Sequence, residues 1–225
     1  MGDITTRSDY LTKFSGDSPK NGKQTEALKQ ALDIRKFEID LYWKRTTYFW
    51  TIIAAVFAGF FLLKKSGPPS SGTDFSPTYI VSNLGFVFSL GWYFVNRGSK
   101  AWQRNWEAHV DLLEDEVMGP LYKTGINRYM YKFLDLTEAY PFSVSRINQI
   151  LSLFVAATWL YLVIYSIASL NWNANSDLIT FGVMSCFTLL TVYLFFKKGK
   201  TSKTDAEIQV ALRQRKYVSG PRSGT

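Results

Sequence analysis

The residues best suited to chemistry form one acidic stretch around the only histidine of the chain. This stretch contains Glu107, His109, Asp111, Glu114 and Asp115. Carboxylates and an imidazole at such close spacing can ligate a divalent cation or exchange protons with a substrate. On the helix predicted for this segment, however, His109 is offset by two residues from Glu107 and Asp111 and does not share their face.

The acidic face of this helix therefore has two interpretations. A solvated face, or one that pairs with basic residues of a neighbouring helix such as Arg35 and Lys36, is favoured because charge-rich helices commonly carry such faces. A divalent-cation site on Glu107, Asp111 and Asp115 is the alternative, and it would have to form without a second histidine.

The chain offers little else for catalysis. His109 is the single imidazole, and the single cysteine, Cys186, lies inside an apolar run. These counts argue against a His-rich metal site and against a Ser/His/Asp catalytic arrangement with alternative bases. They also argue against an intrachain disulfide. We expect a protein that is not an enzyme and that uses no metal and no cofactor. An enzyme acting on lipid is the least favoured function, since His109 and scattered carboxylates would be its only acids and bases.

Four uncharged apolar runs define the elements that must position these residues. They cover residues 46–63, 78–95, 149–169 and 178–196. A helix needs roughly 18 to 20 residues to cross a hydrocarbon core about 30 Å thick, and each run is of that order. The charged residues lie between the runs, whereas a soluble domain would intersperse the two. The pattern predicts an all-α protein with four transmembrane helices.

The first two spans continue into charged helices, because no helix breaker separates them from their cytosolic neighbours. We predict one helix over residues 24–63 and a second over residues 78–119, where Gly119 and Pro120 end the pattern. Apolar residues recur every three to four positions along both cytosolic extensions and are predicted to pack within a subunit or between subunits of a ring. These packing residues are Leu28, Leu32, Ile39, Trp102, Trp106, Val110, Leu113 and Val117.

The remaining segments are predicted to be cytosolic. Residues 1–23 are polar and contain closely spaced Gly and Pro, which favours a flexible arm. Residues 120–142 carry aromatic residues at helical spacing and are predicted to form a further helical segment. Residues 197–225 are predicted to form a basic tail with one short helix.

The distribution of lysine and arginine predicts the orientation. All of the 26 Lys and Arg residues except Lys64 and Lys65 lie before the first span, between the second and third, or after the fourth. Both termini are therefore predicted to be cytoplasmic, in a bacterial inner membrane. Arg97, Lys100 and Arg104 follow the second span closely and are candidates for contacts with lipid headgroups. We attribute the net charge of +8 to the Lys and Arg residues retained on the cytoplasmic side. Nucleic-acid binding is disfavoured, because no RNA- or DNA-binding signature accompanies the charge.

Polar residues within the spans are neutral. The four spans contain no Asp, Glu, Lys, Arg or His, which argues against an ion-coupled transporter. Asn83 and Ser89 are the candidates for a polar function at depth, either as partners in interhelical hydrogen bonds or as the lining of a lumen. The interhelical interpretation of Asn83 is favoured, and small residues on the first two spans indicate close helix neighbours.

Two stretches carry a resemblance to a known family. ALDIRKFEIDLYWKRTTYFW (Ala31–Trp50) and FSLGWYFVNRGSKAWQRNWEAHVDLLEDEVMGPLYK (Phe88–Lys123) resemble the hallmark segments of the RipA family of octameric bacterial inner-membrane proteins. The resemblance implies a homo-oligomer of eight subunits in the inner membrane and a link to bacterial survival in a host or under stress. It implies no catalytic residue.

The sequence thus supports three functions of different classes. The leading hypothesis is a non-enzymatic oligomeric scaffold or regulator of the inner membrane, whose partners are copies of itself, membrane lipids and a cytosolic protein of unknown identity. The second is an oligomeric ion channel or pore lined by Asn83 and Ser89. The third is a lipid-filled ring that organises the bilayer. Lumen width and the groups that face the lumen distinguish the last two.

Overall fold

The computed structural model describes residues 7–12, 14, 22–65, 77–124, 140, 142–168 and 170–200. Within these residues the chain forms helices and turns and no strand. The helices are α1 (Arg7–Thr12), α2 (Gly22–Lys65), α3 (Pro77–Val117), α4 (Val144–Ile167) and α5 (Asn175–Lys197). Among them, α2 to α5 are long and apolar enough to cross a membrane. The prediction of an all-α protein with four membrane-spanning helices is confirmed.

Local sequence explains where the long helices begin and end. Neither α2 nor α3 contains an internal proline, so the apolar and charged parts of each continue as one helix. After α3 ends at Val117, Gly119 adopts a left-handed conformation with φ of 78°, which favours glycine and terminates helices. Ser143 caps α4 by accepting a hydrogen bond from the backbone N–H of Arg146.

The chain divides into two compact units, and α2 and α3 supply residues to both. The described part of the first unit consists of α1, α2 as far as Asp40, and α3 from Ala101 together with the turn that follows it. Its core is one cluster of buried side chains from these three helices. The cluster contains Tyr10, Leu28, Ala31, Val110, Leu112 and Leu113.

The first unit differs from the sequence prediction at its N-terminus. The flexible arm predicted for residues 1–23 contains helix α1, whose Tyr10 is buried in the core. Gly and Pro residues of this stretch suggested a mobile segment, but the apolar side chains of Tyr10, Leu11 and Phe14 pack against the buried cluster. Most of the helical segment predicted for residues 120–142 and of the tail predicted for residues 197–225 lies outside the described residues. Residues 120–124, which are described, form no helix.

The second unit contains the membrane-crossing parts of α2 and α3 together with α4 and α5. Its contacts show that consecutive helices run in opposite directions. Residues near the start of α4 contact α2 near Tyr42, and Trp159 further along α4 packs on Phe57 and Phe60 further along α2. Helices α2 and α4 are therefore parallel to each other. Helix α3 is antiparallel to both, since Gly85 near its start meets Trp159 near the end of α4.

Candidate functional site

The histidine of the acidic stretch is partly buried and contacts Tyr10, a member of the buried cluster of the first unit. Its Nδ1 is 2.7 Å from the phenolic oxygen of Tyr10, and its ring lies 5.3 Å from the ring of Trp106. Burial lowers the pKa of His109 from its usual value of 6.5. Burial also raises the pKa of Tyr10 from 10.0 to about 12. Both shifts favour neutral side chains, so the phenol and the imidazole form a neutral hydrogen-bonded pair that ties α1 to α3.

Glu114 organises the turn that follows α3. Its side chain is completely buried, and its two oxygens accept hydrogen bonds from the backbone N–H groups of Tyr122, at 2.7 Å, and Lys123, at 3.1 Å. Burial raises the pKa of this carboxyl group, while the two N–H groups and the charge of Lys123 act in the opposite direction. Glu114 therefore supplies hydrogen-bond acceptors to two backbone N–H groups of the turn.

The other carboxylates of the stretch do not converge on a cation position. Asp115 forms an ion pair with Lys123, at 2.6 Å. Across the described parts of the chain, no group of three or more His, Cys, Asp or Glu side chains is placed to hold a metal ion. His109, Glu114 and Asp115 each form a hydrogen bond with a neighbouring segment of the same unit.

The predicted packing residues fall into an inner and an outer group. Leu28, Val110 and Leu113 belong to the buried cluster. Leu32, Trp106 and Val117 are partly buried and pack against that cluster. Ile39 and Trp102, by contrast, are 36% and 47% exposed. The apolar stripe of each helix therefore packs into the core with most of its predicted residues. Ile39 on α2 and Trp102 on α3 remain exposed on the surface of the protomer.

Sequence reasoning missed a further exposed aromatic residue of the first unit. Phe37 is 58% exposed, although charged residues surround it in the sequence. It lies on the face of α2 opposite Leu28, because nine residues correspond to two and a half helical turns. One feature of the sequence could have indicated this exposure: Phe37 is a large aromatic residue outside the predicted packing stripe, in a segment predicted to lie in water.

Asn83 and Ser89 both lie in the interior of the second unit. The amide oxygen of Asn83 accepts a hydrogen bond from Thr188 of α5, at 2.7 Å, and its nitrogen donates to the backbone carbonyl of Tyr79, at 2.8 Å. A second bond of 2.8 Å joins the hydroxyls of Tyr79 and Ser185. Asn83 is thus an interhelical partner between α3 and α5, and Ser89 is completely buried.

A second polar cluster joins α2, α3 and α4. The amide nitrogen of Asn148 donates to the hydroxyl of Tyr42 at 2.7 Å and lies 3.4 Å from both Thr46 and the amide oxygen of Asn96. One helical turn away along α3, Ser99 accepts a hydrogen bond of 2.9 Å from Arg45. Asn96 and Asn148 lie just outside the predicted spans, so their positions in the sequence gave no sign of a polar cluster between helices.

The candidate headgroup residues have different environments. Arg97 is exposed, and its guanidinium group lies 5.6 Å from the centre of the Tyr93 ring. Arg104 is also exposed, whereas Lys100 is partly buried. The exposure of Arg97 and Arg104 leaves their charges accessible to an anionic group.

Comparison with known proteins identifies a family. The model of the octameric membrane protein family (8xMP) matches residues 25–168. The match starts near the beginning of α2 and extends past the end of α4, so it includes the polar cluster around Asn148 and most of the core of the first unit. Neither a curated protein nor a solved structure matches the chain.

Proposed function

Since this chain belongs to the octameric membrane protein family, we propose that it is a non-enzymatic scaffold or regulator that works as a ring of eight identical subunits in a membrane. The ring presents the helices of the first unit as its contact surface for neighbouring subunits and for a cytosolic partner. No substrate is transformed in this proposal, and the acidic stretch of α3 serves to hold α1 and the turn after α3 in place.

The observation that carries the proposal is the exposure of Phe37, Ile39 and Trp102 in the first unit. Exposed apolar residues of the spans face lipid, which accounts for them. The segments around Phe37 and Trp102 are rich in charged residues and are predicted to lie outside the lipid. Assembly into a closed ring would remove such apolar side chains from water, and it would cover the same side chains on every subunit.

The membrane-crossing part of α2 supports the same assembly. Ala54, Ala55 and Ala58 are exposed on the protomer, and a Cβ atom added at Gly59 would meet nothing within 4 Å. Small residues allow transmembrane helices to approach closely, and among the described residues these alanines remain exposed. A neighbouring subunit is the natural occupant of this face.

We further propose that the protein lies in a bacterial inner membrane with both termini in the cytoplasm. The concentration of Lys and Arg on one side of the predicted spans supports this orientation. Arg97, Lys100 and Arg104 then lie at the cytoplasmic surface, where they meet anionic headgroups. A role in survival within a host or under stress rests on the resemblance to the RipA family alone.

A lipid-filled ring is the second candidate, and the burial of Asn83 and Ser89 favours it over a channel. Both residues face the interior of one protomer, so neither is available to line a lumen between subunits. The exposed side chains of α4 and α5 are mostly apolar, including Phe154, Ile164, Phe187 and Leu189. A lumen bounded by such surfaces would hold acyl chains more readily than hydrated ions.

The proposal is tested by replacing Phe37 and measuring particle mass by mass photometry in lipid nanodiscs. Phe37→Ser removes an exposed aromatic contact and is expected to shift the population towards smaller assemblies. Asp33→Ser, one turn earlier on the same exposed face of α2, is the matched control and should leave the mass distribution unchanged. Equal distributions for wild type and Phe37→Ser would argue against this surface as a subunit contact.

A further inference from the structure

The packed faces of α3 and α4 carry polar atoms that lack a hydrogen-bond partner. Within the described residues, these unpartnered buried atoms include the hydroxyl oxygen of Ser89, the amide nitrogen of Asn96 and the indole nitrogens of Trp92 and Trp159. All four side chains are at most 2% exposed. An unsatisfied buried donor costs about 1–3 kcal/mol, and buried indole N–H groups usually find an acceptor.

Two contacts fix the register of α3 against α4. Gly85 lies so close to the indole of Trp159 that an added Cβ would collide with it, and Asn96 lies 3.4 Å from Asn148. The same number of residues separates these two contacts on both helices, so the antiparallel helices stay in register between them. Ser89 and Trp92 therefore lie opposite the part of α4 that contains the buried Ser152. We call the set Ser89, Trp92, Asn96, Ser152 and Trp159 the α3/α4 seam.

Ser89 differs from other buried serines of the spans. The hydroxyls of Ser82, Ser152 and Ser166 each donate to a backbone carbonyl of the preceding helical turn, at 2.7 to 2.9 Å. Such local bonds satisfy a serine inside a transmembrane helix. In the described structure the Ser89 hydroxyl makes no such bond. Its hydrogen-bonding capacity is therefore available to the seam.

The groups of the seam define the chemistry of an occupant. The indole N–H of Trp92 and the amide N–H of Asn96 are donors and cannot accept, whereas the hydroxyls of Ser89 and Ser152 can also accept. The guanidinium group of Arg45 donates a hydrogen bond to Ser99, which lies one helical turn beyond Asn96 at the end of the seam farther from Trp159. We propose that the α3/α4 seam binds a small hydrogen-bond acceptor, which is either a water molecule or a halide anion.

Aromatic rings are the competing acceptors for the indoles. Trp92 packs edge-to-face with Trp50, with ring centres 6.0 Å apart, and Trp159 packs edge-to-face with Phe60 at 5.9 Å. N–H groups donate weakly to aromatic rings. Such contacts would satisfy the two indoles alone and would leave Ser89 and the Asn96 nitrogen without an acceptor. Ser89 is therefore the residue that distinguishes an occupied seam from one closed by aromatic packing.

The first test compares Ser89→Ala with Ser82→Ala in the intact, detergent-solubilised particle. Both serines are completely buried on α3, but Ser82 bonds its own helix. If Ser89 bonds an occupant, its replacement lowers the midpoint of thermal unfolding by about 2–4 °C more than Ser82→Ala does. A Ser89→Ala midpoint equal to or above that of Ser82→Ala overturns the proposal, because removal of an unpartnered hydroxyl costs nothing.

The second test identifies the source of the acceptor. Unfolding midpoints of wild type and Ser89→Ala are measured in chloride, bromide and gluconate at equal ionic strength. A halide in the seam predicts a higher wild-type midpoint in chloride or bromide than in gluconate, with a smaller difference for Ser89→Ala. Water in the seam predicts that the loss on Ser89→Ala is the same in all three salts. Both results require the first test to succeed, so its failure overturns the proposal in either form.

Discussion

The phenolic oxygen of Tyr10 and the Nδ1 of His109 lie 2.7 Å apart, although 99 positions separate the two residues in the sequence. Tyr10 belongs to a short helix of six residues, which is too short to be stable alone. Its stability therefore comes from the buried cluster that it joins and from this hydrogen bond. The histidine that looked like a candidate ligand or acid is the point where α1 attaches to α3.

The attachment of α1 should depend on pH. Burial lowers the pKa of His109 below 6.5, so the neutral imidazole stabilises the packed state fully above that pH. As the pH falls below 6.5, the unpacked state takes up the proton first and the stabilisation is lost. At the alkaline end, the raised pKa of Tyr10 means that the stabilisation falls as the pH rises from 10.0 to about 12.

A spin label at Ser8→Cys, in a Cys186→Ser background, measures this attachment directly. Its mobility is expected to increase as the pH falls below 6.5. His109→Phe cannot take up a proton and is the control, for which mobility should not change over the same range. Identical pH profiles for the two proteins would contradict the assignment of His109 as the titrating group.

Glu114 should control the turn that follows α3. Glu114→Ala removes the acceptors of the Tyr122 and Lys123 N–H groups and is expected to destabilise the turn by about 1–3 kcal/mol. Hydrogen–deuterium exchange at these two amides should accelerate accordingly. Glu116→Ala, at an exposed carboxylate two residues away, serves as the control and should leave both exchange rates unchanged. Slow exchange in Glu114→Ala would show that other contacts hold the turn.

Gly85 should be the least tolerant of the spanning glycines in the second unit. A Cβ at this position collides with the Trp159 indole, which is completely buried and has little room to move. Gly85→Ala is therefore expected to destabilise the particle by about 1–3 kcal/mol, despite the higher helix propensity of alanine. Gly182→Ala, where a Cβ meets nothing within 4 Å, should be neutral or stabilising. Thermal unfolding of both variants provides the comparison.

A larger residue at Gly59 tests the subunit face of α2. Neither Gly59 nor Gly182 has a neighbour that an added Cβ would meet within the described protomer. If the α2 face packs on a neighbouring subunit, Gly59→Leu should dissociate the particle while Gly182→Leu on α5 leaves it intact. Size-exclusion chromatography with light scattering distinguishes these results. Loss of particles with Gly182→Leu alone would assign the contact to α5.

Helix content and the number of helices able to cross a membrane were predictable because they depend on local composition. Each signal is local in the sequence. The signals are the uncharged runs of sufficient length, the absence of proline inside α2 and α3, and the helix stop at Gly119–Pro120. The buried stripe of Leu28, Val110 and Leu113 followed from helical periodicity in the same way.

The partners of individual side chains were not predictable, because they are set by residues distant in the sequence. Tyr10 lies in a stretch with turn-forming residues, and nothing local indicates that it packs beside His109. The cluster around Asn148 requires the relative register of three helices, which a single sequence does not provide. Nothing local in the sequence indicates that Trp159 fills the space opposite Gly85.

The central claim is that identical subunits assemble into a closed ring, and native mass spectrometry of the particle released from lipid nanodiscs tests it most directly. With a subunit of 25.7 kDa, the account predicts one dominant species with the mass of eight chains plus bound lipid. A sample that remains monomeric after gentle extraction, with Phe37 and Trp102 exposed to solvent, would contradict it.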